Sequence, residues 1–219
     1  MKSYFAEGIG TFLLVFIGTL TVTQAEGNML LIAAAFGATL FVVVALLGPL
    51  SGAHVNPAVS LGAWFRGDLS SHDIVPYWIA QIAGAILGST AVFLIVGAGH
   101  SLGETTFGSL PPQSAFLLET VLTLVYVAVT LAASRRRPMQ KAFLLGGALL
   151  ILHIAALPLT GAGLNPARSI APVVVGANPE ASAQLWVYVA GPFLGGAVAG
   201  ILGRMFASRR LFGGKRAGV

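Results

Sequence analysis

Six stretches of this chain, at about 3–24, 29–50, 73–98, 113–134, 139–159 and 183–207, are apolar and long enough to cross a lipid bilayer. Crossing ~30 Å of hydrocarbon takes ~20 helical residues. No water is available there, so every backbone N–H and C=O must pair within its own segment. The class expected is therefore an all-α membrane bundle. Composition agrees: 56% of residues are hydrophobic and 9% charged, against roughly 25% charged in soluble domains. The 28 glycines suit helices that pack backbone to backbone. With no cysteine, disulfides, thiolate chemistry and Cys-based metal sites are excluded. A net charge of +5 could suggest nucleic acid. The basic residues lie in loops and the C-terminal tail, however, so membrane topology explains the charge and no nucleic-acid partner is expected. The opening residues imitate a signal peptide, but Glu7 lies within the apolar run and the segment reads as a retained first helix.

Two shorter apolar pieces, at about 56–66 and 165–175, lie between the second and third spans and between the fifth and sixth. About ten helical residues reach ~15 Å, half of the hydrocarbon. Each piece follows an irregular, glycine-bearing stretch and opens on the same tripeptide, Asn56-Pro57-Ala58 and Asn165-Pro166-Ala167. Asn caps free N–H groups at a helix start, and Pro at the first helical position has no N–H to leave unpaired. The pieces are expected to be re-entrant half-helices, with N-termini facing each other across a pore. Irregular backbone at that depth requires burial in protein or a water-filled lumen. If the Asn side-chain oxygens cap the helices, their amide N–H groups remain to donate into that lumen. Carbonyls of Gly52, Ala53 and His54, and of Gly161, Ala162 and Gly163, are expected to form a ladder of acceptors.

The chain reads as one channel domain of two repeats, about 1–108 and 109–219. Glu7 and Glu119 occupy matching places in the first helix of each. Three spans per repeat is an odd number, so the second repeat is inverted, with its site at the repeat interface. Eleven of the twelve basic residues fall on one side of the six-span topology, among them Lys2, Arg66, Arg135, Arg136, Arg137, Lys141, Arg209, Arg210, Lys215 and Arg216. The positive-inside rule then predicts an inner or plasma membrane protein with both termini cytoplasmic. The twelfth, Arg168, lies inside the second half-helix. A charge there costs ~2.5–3.5 kcal/mol to insert, which predicts a watery cavity beside it.

The doubled Asn-Pro-Ala, the Arg after the second copy, the paired glutamates and the six-plus-two layout resemble the major intrinsic proteins, the aquaporin and glycerol-facilitator family. The resemblance covers nearly the whole chain. It implies an aquaporin-like fold, a homotetramer with a pore in each subunit, and a selectivity filter of Phe36, His153, Ala162 and Arg168. That set looks like a water-selective constriction. Glycerol facilitators usually have Gly at this His, a second aromatic at Ala162, and Asp after the Arg where this chain has Ser169. Ala162 is a departure from water channels, in which Thr or Cys is commoner. Gly84, Gly88, Gly195 and Gly196 are expected to offer packing surfaces for the tetramer.

The leading expectation is a passive water channel, conducting water in single file and excluding protons and ions. Other small neutral solutes, such as glycerol, ammonia or hydrogen peroxide, remain an alternative. So does a proton-coupled transporter using Glu7 and Glu119, although these two are read as bracing the irregular loop of their own repeat. Neither a nucleophilic Ser/His arrangement nor paired catalytic acids nor ligand spacing is present, so no enzyme activity, cofactor or metal is expected. His54 is read as bracing the first loop, and His72 and His100 as surface residues.

Overall fold

The computed structural model describes residues 1–213, with side chains described through residue 206. Lys215 and Arg216 lie outside the described residues, as do the side chains of Arg209 and Arg210. Among the described residues the chain is all helix: α1 (Lys2–Gln24), α2 (Met29–Ser51), α3 (Pro57–Arg66), α4 (Ile74–Val96), α5 (Pro112–Ala133), α6 (Pro138–Thr160), α7 (Pro166–Gly176) and α8 (Pro179–Gly213). Six of these are long and apolar enough to cross a membrane, and α3 and α7 are the short pair. The last span starts earlier than its apolar run at 183. Asn178 accepts a cap bond from the Ala181 N–H, and Pro179 takes the first helical position. Glu180 in the first turn and Gln184 in the second lower the hydropathy of this start.

Buried polar side chains join the apolar core on the inward helix faces, while many large apolar side chains face outward. Glu7, Thr11, Leu14 and Gly18 form one buried stripe of α1, and Glu119, Thr123, Tyr126 and Thr130 form its counterpart on α5. Spacings of four, three and four residues keep each stripe on one helix face. Outside, Leu94 is 77% and Phe143 72% exposed, as suits side chains solvated by lipid.

Small residues set the helix spacing. A Cβ at Gly84 of α4 would sit 2.1 Å from the Gly8 carbonyl oxygen of α1. At Gly195 of α8 it would sit 2.3 Å from the Thr120 oxygen of α5. Gly37 of α2 and Gly146 of α6 meet face to face, and a Cβ on either would sit 2.8 or 2.7 Å from the other's carbonyl oxygen. These contacts correct the assignment of Gly84, Gly88, Gly195 and Gly196 to a subunit interface. Gly88 lies against Phe12 and Phe16, and Gly196 against Ala58 of α3, so all four pack helices within the chain itself.

Candidate functional site

The loops leading into α3 and α7 are built alike. Gly52 ends α2 and Gly161 ends α6 with left-handed backbone, at φ 89° and 68°. Positive φ recurs at Ala53 and Val55 in the first loop and at Ala162 and Leu164 in the second. A side chain at positive φ costs of order 1–3 kcal/mol, so the surroundings must over-determine these conformations.

A buried carboxylate in each half does so. Glu7 Oε1 accepts from the Ser51 hydroxyl and the His54 N–H, and Oε2 from the Val55 N–H and the Gln81 amide. Glu119 Oε1 accepts from the Thr160 hydroxyl and the Gly163 N–H, and Oε2 from the Leu164 N–H. Bonds to a charged acceptor are worth ~1.5–3 kcal/mol each, enough to hold the strained turns. The frame continues outward in the same pattern. The Tyr77 hydroxyl donates to Ser51 O, and the Tyr188 hydroxyl to Thr160 O, both at 2.8 Å. His54 lies within 3.1 Å of the Ser60 hydroxyl and packs beside the Tyr77 ring, while His72 and His100 are exposed.

Asn56 and Asn165 cap α3 and α7. Asn56 Oδ1 accepts from the Ala58 N–H at 2.8 Å, and Asn165 Oδ1 from the N–H groups of Ala167 and Arg168 at 3.0 and 3.4 Å. The amide nitrogens are not left wholly free. Asn56 Nδ2 donates to Leu164 O and Asn165 Nδ2 to Val55 O, so one hydrogen of each ties the two loops together. An amide carries two hydrogens, and the second of each remains for the lumen.

Between the loops runs a narrow cavity of about 10 Å³, with both Asn residues, Phe36, His153 and Arg168 in its wall. That is roughly the space one water requires. The Phe36 and His153 rings stack at 4.5 Å, and the Arg168 guanidinium carbon lies 5.2 Å from the Phe36 ring centre. Arg168 Nη1 donates to Gly103 O at 2.7 Å, which fixes the guanidinium from the loop between α4 and α5. His153 Nδ1 is 2.9 Å from Leu149 O and so carries a hydrogen there. His153 Nε2 and Arg168 Nε are buried without a protein partner. Two buried polar atoms in the wall of a water-sized cavity fit a small polar permeant.

The structure thus brings together Phe36, His153 and Arg168. Ala162 is buried in the second loop at φ 54°, and its neighbour Gly163 is the loop residue in the cavity wall. Among the described residues, no protein hydrogen bond reaches the carbonyls of Ala53, His54, Gly161, Ala162 or Gly163. Gly52 O is different, because the Lys141 ammonium donates to it at 2.7 Å. The sequence alone did not mark this lysine, nor Leu14 and Tyr126, which also line the narrow cavity. A signal for that pair existed: each lies seven residues, or about two helical turns, beyond the buried Glu of its helix. Among the described residues, no group of acidic, His or Cys side chains is arranged to hold a metal.

Comparison with known proteins agrees with this geometry. The family described as "Major intrinsic protein" matches residues 1–202. A "Glycerol uptake facilitator protein-like 6" of Lactiplantibacillus plantarum is 40% identical over 215 residues, spanning 95% of this chain and 99% of its own. An "Aquaporin Z" of Photorhabdus laumondii is 32% identical over 230 residues, spanning 96% and 99%. In fold, the aquaglyceroporin of Plasmodium falciparum superposes with a TM-score of 0.86 at 23% identity, over 96% of this chain and 98% of that one. With six membrane-length helices, two opposed half-helices and matches across nearly its whole length, this chain belongs to the major intrinsic protein family, integral membrane channels rather than enzymes.

Proposed function

We infer that the channel is a passive conduit for water, single file at its narrowest point and closed to protons and ions. The observation that carries this reading is the meeting of Phe36, His153 and Arg168 around a cavity of about 10 Å³. An aromatic wall, an imidazole and a guanidinium leave little width for a polyol's carbon chain. Phe36, His153, Ala162 and Arg168 are assigned as the filter, with Ala162 shaping the loop that presents Gly163. The doubled Asn-Pro-Ala is assigned as the central constraint. Each half-helix brings roughly half a positive charge to its N-terminus. Two Asn donors and this field orient a passing water with its oxygen to the centre, which breaks proton relay and repels cations. The carbonyls of Ala53, His54, Gly161, Ala162 and Gly163 replace the bonds that water gives up. Glu7 and Glu119 are assigned as braces of the loops rather than as a proton path, since their oxygens are occupied by donors of their own half.

The basic ends of the spans support a cytoplasmic position for both termini, and the family resemblance supports a homotetramer with one pore per subunit. A second reading, conduction of glycerol or another small neutral solute, is favoured by the name of the 40% identical relative. Proteoliposomes exposed in parallel to an impermeant osmolyte and to glycerol separate the two. Fast shrinkage of weak temperature dependence, with no glycerol re-swelling beyond that of protein-free lipid, is the expected result. Rapid re-swelling in glycerol replaces the water-selective reading with the second one.

A further inference from the structure

Beyond the first loop the pore widens into a cavity of about 570 Å³, on the side bearing Arg135. Lys141, in the first turns of α6, is half-buried in its wall. Its ammonium donates to Gly52 O, the first carbonyl of the loop that leads to Asn56. Three carboxylates stand near this cavity, and each is engaged elsewhere. Asp68 pairs with Arg66, Asp73 accepts from the Tyr4 hydroxyl, and Glu7 accepts from four donors of its own half. Lys141 therefore holds a neutral carbonyl rather than a carboxylate, with the buried Glu7 charge nearby but bound to its own donors. Arg168 does the same at the other end, donating to Gly103 O at the same 2.7 Å. A cation on a backbone carbonyl therefore flanks the lumen on both sides.

We propose that Lys141 is a second charge filter, set at the wide end of the pore and acting in series with Arg168. An unoccupied run of carbonyls is a natural lure for a monovalent cation. The ammonium fills the outermost carbonyl of that run and repels any cation approaching the rest. Neutral solutes meet no such barrier. The proposal rests on the channel reading above and adds to it a specificity-determining residue on the side away from the filter.

Barriers in series hide one another, so the test is made with Arg168→Ala as the background, in full-length protein reconstituted into vesicles. Potassium and proton leak are measured together with osmotic shrinkage. Adding Lys141→Met is expected to raise the leak by about threefold or more, the factor one unit charge exerts on another ~7 Å away in water. The chain has no cysteine, so Lys141→Cys in the same background provides a single thiol within one folded protein. Restoring positive charge there with an aminoethyl thiosulfonate is expected to lower the leak relative to a neutral methyl reagent, and a sulfonatoethyl reagent to raise it. Leak that is equal with and without Lys141→Met, zero included, or indifferent to the reagent's sign, overturns the proposal alone. Wild-type vesicles shrinking no faster than protein-free lipid overturn the channel reading and this proposal with it.

Discussion

Asn56 and Asn165 each donate a side-chain amide to the carbonyl immediately before the other, Asn56 to Leu164 O at 2.9 Å and Asn165 to Val55 O at 2.8 Å. Each residue therefore caps its own half-helix and also fastens the opposite loop. The two halves of the pore are locked at one point, at the depth where a permeant passes.

Asn56→Ala removes a helix cap and a cross-loop bond together. Each is worth about 1 kcal/mol, so a loss of about 2 kcal/mol is expected. Thermal unfolding in detergent checks this. Combined with Asn165→Ala, the loss is expected to depart from the sum of the two, because both residues join the same loops.

Asn56→Asp tests the charge logic rather than the packing. The carboxylate still caps α3, but it cannot donate to Leu164 O and it places negative charge in the wall of the lumen. Cation leak is expected to rise and water flux to fall, read in vesicles by an ion-sensitive dye and by light scattering. Leak equal to wild type would remove the central positive field from the account.

Removing Arg168 and His153 together, as Arg168→Ala with His153→Ala, strips the guanidinium and the imidazole from the narrow cavity. A pocket discriminates a single methylene by roughly 10–200-fold, so glycerol and urea permeability are expected to rise at least about tenfold. Proton leak is expected to rise with them while water flux persists. Unchanged exclusion of solutes would sink the filter assignment.

Glu7→Gln and Glu119→Gln replace a charged acceptor by an amide whose NH₂ faces N–H donors. The expected loss is about 2–4 kcal/mol in either case, from weakened bonds to the strained loops. Folded yield and melting temperature are expected to fall more than flux per folded channel. A variant that folds normally but loses a pH-gradient-driven flux present in wild type would revive the transporter reading.

Gly84→Ala forces a methyl to 2.1 Å from the Gly8 carbonyl oxygen, and Gly195→Ala forces one to 2.3 Å from that of Thr120. Backbone cannot yield as a flexible side chain does, so each is expected to cost at least about 1–3 kcal/mol. Gly147→Ala is the control, since nothing lies within 4 Å of its Cβ. Monodisperse yield on size exclusion is expected to drop for the first two and to hold for the third.

Local rules made much of this protein legible in its sequence. Span length, the two half-length pieces, the Asn-Pro starts of α3 and α7, and the equivalence of Glu7 and Glu119 all follow from bilayer thickness, helix-end chemistry and a repeated order. Each is a short-range pattern, and each needs only neighbouring residues to be read. Tertiary structure decided the rest. Lys141 read as one more topology-setting charge, yet packing of α6 beside α2 turns it onto Gly52. Gly84, Gly88, Gly195 and Gly196 read as outward surfaces, yet they carry contacts between helices of the same chain. Leu14 and Tyr126 gave no sign of a lumen role by residue type. The physical reason is shared: helices that are apolar on nearly every side do not announce which face turns inward. That choice belongs to remote segments, through carbonyls and small residues that meet only once the two halves have closed on each other.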